Sequence, residues 1–252
     1  MSEIQKPYIA SKAMTDALKQ EVSVLKPEQE RYFIAGITEL TQHIIEHYAD
    51  FIPFSTQNQM GDLGNRTVIT SQSTVDVACM AWNPEQEQTT FQKGLKPRGF
   101  FNPLGNIIFL THPRYFGYQY WRTLHESAKQ KWNNAYGTEQ KAKREYGALL
   151  FSNHALHEIL HSVEESGHIA AFSEGAATYY QKELCKDPQL FKYVPFNGLY
   201  EYFGRAYEFF VNEYGDTMHN IFFGYPMDND VKLTILAQHR NFLIEAQRRH
   251  NE

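Results

Sequence analysis

Residues His154 to Tyr180 read HALHEILHSVEESGHIAAFSEGAATYY, and the division of this stretch into helices decides how the chain around it is read. Its centre is His157-Glu158-Ile159-Leu160-His161, an HExxH pattern. On a helix, residues four apart differ by about 400° of rotation, so both imidazoles would leave one face one turn apart, where a single zinc ion can bridge them. Glu158 is turned about 100° from His157 and lies beside the metal, placed to take a proton from water. Leu156, Ile159 and Leu160 supply the apolar back of a buried helix.

A catalytic zinc takes three protein ligands and keeps one position open. Glu164 and His154 lie three residues beyond the histidine pair, about 4.5 Å along the same axis, too far to close a tetrahedron with both histidines. His168 follows Gly167 directly, one place late for the HExxHxxGxxH arrangement of the metzincins. Glu174 stands thirteen residues after His161. A turn at Gly167 and a second helix capped by Ser173 would return Glu174 over the two histidines, so Glu174 is the expected third ligand. His154, Glu164 and His168 are assigned to the neighbourhood of the metal.

Outward from this stretch, Phe33, Ile34, Ile37, Leu40, Ile44, Ile45 and Tyr48 repeat at helical spacing, and residues 8–51 read as mostly helical. The polar, glycine-bearing run at 55–66 reads as a loop, residues 66–82 as one or two strands and Asn106–Leu110 as another. An edge strand at Gly105–Thr111 would pair with an extended peptide. From Trp121 onward the chain is helical in propensity, with breaks at Gly137, Gly167, Pro195 and Gly198. Strands early and helices late predict an α+β fold, with a small N-terminal mixed sheet packed on the HExxH helix and a mainly helical C-terminal half. One domain over 1–252 is expected, with 1–51 as a helical extension.

With HExxH, the segment SEGAATYY (Ser173–Tyr180), RGFFNPLGNIIFL (Arg98–Leu110) before it and LYEYFGRAYEFFVNEYGDTMHNIFF (Leu199–Phe223) after it, roughly residues 95–225 resemble the gluzincins, the peptidase MA-like zinc metallopeptidases. The spacing from His161 to Glu174 is shorter than in thermolysin-like and aminopeptidase members and suits compact gluzincins. The resemblance implies a zincin-like fold and a peptide or protein substrate, with one zinc ion on His157, His161 and Glu174 and Glu158 as general base. It also implies a Tyr or His that holds the developing oxyanion. Tyr200, and after it Tyr207, share a helical face with Gly204 and are the candidates. Thr178 stands where some gluzincins carry an acidic group behind a zinc-bound histidine. The rival readings are an inactive or structural zincin-fold binding protein and a metal-dependent hydrolase of non-peptide amides.

Composition narrows the partners. A net charge of -5 offers no electrostatic invitation to nucleic acid or anionic lipid, and RYFGYQYW (Arg114–Trp121), with one basic residue, reads as packing and not as a stacking platform. Cys79 and Cys185 form no CxxC pair, so a disulfide framework is not expected. The start of the sequence has no apolar signal-like run and no stretch reaches the ~20 apolar residues of a membrane span. Cytoplasmic placement is expected, with export as an effector left open.

Overall fold

The computed structural model describes residues 27–70, 75, 99–103, 105–165, 168–195 and 198–251. The expected helix over 8–26 and much of the expected strand region lie outside them. The described residues form an α+β fold, mostly helical with one small sheet. Helix α1 (Pro27–Tyr48) buries the stripe Ile37, Leu40 and Ile44 completely. The expected loop after it contains helix α2 (Phe54–Met60). Polar Gln57 steadies this turn by donating Nε2 to Ala49 O at 3.1 Å and Ile52 O at 2.8 Å, while Met60 and Leu63 reach the core.

Strands β1 (Thr67–Thr70), β2 (Gly99–Asn102) and β3 (Ile107–Thr111) form a sheet in the order β1-β3-β2, parallel between β1 and β3 and antiparallel between β2 and β3. The strand expected at an edge is therefore the central one. Its Ile108 and Leu110 are fully buried, which suits a strand with neighbours on both sides. The strand expectation over 66–82 holds at β1, but buried Val75 is helical.

Helices α3 (Pro113–Thr123), α4 (Glu126–Tyr136), α5 (Glu139–Val163), α6 (Ala170–Leu184), α7 (Gly198–Tyr214), α8 (Asp216–Phe223) and α9 (Asn229–Asn251) follow. Gly137 ends α4 at φ 86°, a backbone a side chain would strain. The long α5 is the axis of the molecule; between Gly147 and Leu160 only His154 is not buried, so it is sheathed on almost every side. Helix α7 lies close on α6 because glycines meet there. A Cβ on Gly175 would come 2.7 Å from Phe203 O, and one on Gly204 would come 2.8 Å from Thr178 Cγ2. Among the described residues no helix is long and apolar enough to cross a membrane.

One core residue carries a pH consequence. His239 of α9 is fully buried against the rings of Phe172 at 5.2 Å and Phe210 at 5.0 Å, and neither ring nitrogen has a hydrogen-bond partner among the described residues. Burial pushes its pKa down to about 4. The unfolded chain, with a histidine near ~6.5, then binds the extra proton first, so the stability from a neutral His239 is complete above that value and is lost as pH falls toward 4. The span is worth about 3 kcal/mol. His168 and His219, also lowered by burial, act in the same direction. The urea midpoint should fall from pH 7.5 to pH 4.5, and His239→Leu should flatten that fall; an unchanged slope in the variant would remove His239 from the account.

Candidate metal centre

Helix α5 ends at Val163, where Glu164 leaves helical geometry at ψ 140°, and α6 restarts at Ala170. The expected break at Gly167 lies outside the described residues. Backbone ties hold the turn: Glu165 N donates to Phe222 O at 2.8 Å and Phe172 N to Ile169 O at 2.9 Å. The cap of α6 is Ile169, so Ser173 is not a cap. It ends the first turn with its hydroxyl 2.5 Å from Glu164 Oε2 and 3.1 Å from His161 Nδ1.

This helix-turn-helix brings His157, His161 and Glu174 together as a group able to hold a metal ion. His157 Nε2 lies 3.0 Å from Glu174 Oε2, His161 Nε2 lies 3.2 Å from His157 Nε2, and His161 Nε2 lies 3.6 Å from Glu174 Oε2. Tetrahedral ligands at 2.0–2.1 Å from one ion are about 3.3 Å apart, and the three observed edges bracket that figure. The donor set of two imidazoles and a carboxylate fits a divalent cation without rebuilding. Glu164 accepts from His161 Nδ1 at 3.1 Å, so Nε2, which faces the group, is the nitrogen whose proton a cation would replace.

The electrostatics point the same way. Burial favours the neutral Glu174 carboxyl, but His161 and His157 overcome it and hold the group well below the usual carboxylate range. Burial likewise disfavours a charged His161, and Glu174 and Glu164 reverse that and raise it well above an ordinary histidine. Positive charge is thus favoured where the three donor atoms converge, and a cation binding there would displace a proton.

Glu158 stands apart from the three ligands and is buried. Burial raises its pKa, against the pull of His161 and His157, and it accepts a hydrogen bond from the Phe101 backbone. Strand β2 lies directly on it. A Cβ on Gly99 would come 2.7 Å from Glu158 Cγ and 2.9 Å from its Oε1, so only glycine lets the strand come this close. Neither Gly99 nor the Phe101 amide was expected at the site; the signal available was a glycine opening the aromatic run GFF.

Of the two expected tyrosines, Tyr200 reaches the site, its ring parallel to His157 at 5.8 Å and 7°. Tyr207 does not. It is fully buried, donates its hydroxyl to Met218 O at 3.0 Å, and lies 3.1 Å from the Tyr180 hydroxyl, itself 2.7 Å from His219 Nδ1. Thr178 is buried in the α6–α7 contact, and its hydroxyl has no hydrogen-bond partner among the described residues, so it does not serve as the acceptor behind a histidine. His154 turns Nδ1 to Leu150 O at 2.8 Å and His168 turns Nε2 to Ile221 O at 3.2 Å. Neither joins the three-residue group.

Comparison of the chain with family models, with curated proteins and with solved structures finds no match.

Proposed function

We propose that the protein is a zinc metallopeptidase of gluzincin type, with a zincin-like arrangement of sheet and active-site helix. The observation that carries this reading is the separation of roles on adjacent helices. Three ligand atoms lie 3.0 to 3.6 Å apart, and a buried fourth group, Glu158, lies outside them. A purely structural site has no need of that carboxylate. A zinc ion on His157, His161 and Glu174 would supply Lewis-acid chemistry, lowering the pKa of a water and polarising a carbonyl.

Glu158, with its proton affinity raised by burial, takes the proton of the attacking water and returns it to the leaving amine. The Phe101 amide fixes this carboxylate, and Gly99 leaves room for it. Beyond β2 no further strand pairs among the described residues, so its outer edge, and not β3, is the one to receive an extended peptide beside Glu158. Tyr200, against His157, is the donor for the developing oxyanion.

Zinc content and hydrolysis of a peptide library test the proposal. Wild type should hold one zinc equivalent more than His161→Ala and should cleave peptides that the variant leaves intact. Equal zinc in the two proteins would end the metal assignment. Tyr200→Phe should lower kcat about 10²-fold. Tyr207→Phe should leave kcat near wild type and cost about 1–3 kcal/mol of stability, because Met218 O loses its buried donor. The reverse pattern would exchange the two tyrosines.

A further inference from the structure

A second group of metal-ligating side chains lies away from the first. His43 and His47, one turn apart on α1, and Asp187, just past the end of α6, each offer a ligand atom within 4.8 Å of the other two. We infer that His43, His47 and Asp187 form a second site for a divalent cation of the zinc class, which ties α1 to the end of the helix that carries Glu174.

The side chains are arranged for this. His47 Nδ1 lies 2.9 Å from His43 O, a carbonyl that only accepts, so Nδ1 carries the hydrogen and Nε2 is the nitrogen left with a lone pair. A ring held by a backbone carbonyl in this way is the usual support of a metal-bound histidine. His43 Nε2 is buried and makes no hydrogen bond among the described residues. Its facing group is Asp187 Oδ2 at 3.7 Å, too long for a hydrogen bond and close to the ~3.3 Å between two ligands of one tetrahedral ion. The other Asp187 oxygen accepts from Gln189 N at 2.8 Å, which fixes the carboxylate with Oδ2 toward His43. Two imidazoles and one carboxylate suit zinc, nickel or copper better than calcium or magnesium.

The site differs from the first in position and use. Among the described residues no buried general base stands beside it, and it joins α1 to the segment after α6, so its cation would hold helices together.

The test is zinc stoichiometry of the full chain after dialysis, followed by titration against a chromophoric chelator. Wild type should bind two equivalents. His47→Gln and Asp187→Asn should each weaken one of them at least tenfold while leaving peptide hydrolysis unchanged, and His161→Ala should remove the other. In a His161→Ala, Glu174→Ala background one equivalent should remain and should raise the melting temperature, a rise that adding His47→Gln abolishes. If that background does not fold, the wild-type and His47→Gln titrations decide alone. The inference is overturned if wild type takes up no second equivalent at about 100 μM free zinc, or if the second equivalent is indifferent to both His47→Gln and Asp187→Asn. Loss of zinc in His161→Ala alone would leave the peptidase proposal standing without the second site.

Discussion

Glu158→Gln is expected to keep its full zinc content and to lose about 10³-fold in kcat, equivalent to about 4 kcal/mol of transition-state stabilisation. Glutamine has the size of glutamate and can still accept from the Phe101 amide, so the buried pocket under β2 stays filled. What it lacks is a basic oxygen to take a proton from water. The carboxylate is not one of the three convergent donors, so metal affinity should not follow activity. Zinc measured beside kcat and KM on one peptide separates the two: a general base lost alone lowers kcat and leaves KM near wild type. A variant that retained more than a tenth of wild-type turnover would take the proton from Glu158, and a variant that lost zinc would make Glu158 part of the metal's support.

The parts of this site legible in the sequence are those set by local geometry. His157 and His161 share a face because they are one helical turn apart, and Glu174 reaches them because a short turn reverses the chain. The tyrosines mark where local geometry stops deciding. Tyr200 and Tyr207 lie on one stripe of α7, but that stripe crosses two environments, His157 at one end and Tyr180 with Met218 at the other. Periodicity gives a face and not what the face meets. Strand order was hidden for a related reason. The neighbour of β3 on one side is β1, about forty residues earlier, in parallel register from Thr67 opposite Ile108 to Thr70 opposite Thr111. Such a pairing depends on a connection through space that no short window of sequence contains.

Asn153→Leu should cost about 3–5 kcal/mol of folding stability, the largest effect expected from a residue that touches no ligand atom. Asn153 is fully buried in α5 and fills its hydrogen-bonding capacity. Its Nδ2 donates to Leu149 O at 2.9 Å and Lys192 O at 3.1 Å, and its Oδ1 accepts from Gln181 Nε2 at 2.9 Å and Val194 N at 3.0 Å. Leucine has a similar volume, so little cavity forms. The loss comes from buried Gln181, which keeps only the Asn153 carbonyl as acceptor for its Nε2, and from the part-buried bonds of Lys192 O and Val194 N, which go unmade. Asn153 lies one turn before His157, and Gln181 lies seven residues after Glu174, so their bond sits on the helix faces that also meet at the candidate metal centre. It sets the register of α5 against α6. The segment it holds also leads to α7, where Tyr193 donates to Glu201, the residue after Tyr200. Zinc affinity in Asn153→Leu should therefore fall along with the urea midpoint, even under conditions where the chain remains folded. A midpoint shift worth less than about 1 kcal/mol would mean that water or local repacking replaces the network. A large shift with unchanged zinc affinity would mean that the turn at Glu164, and not this network, holds Glu174 over the histidines.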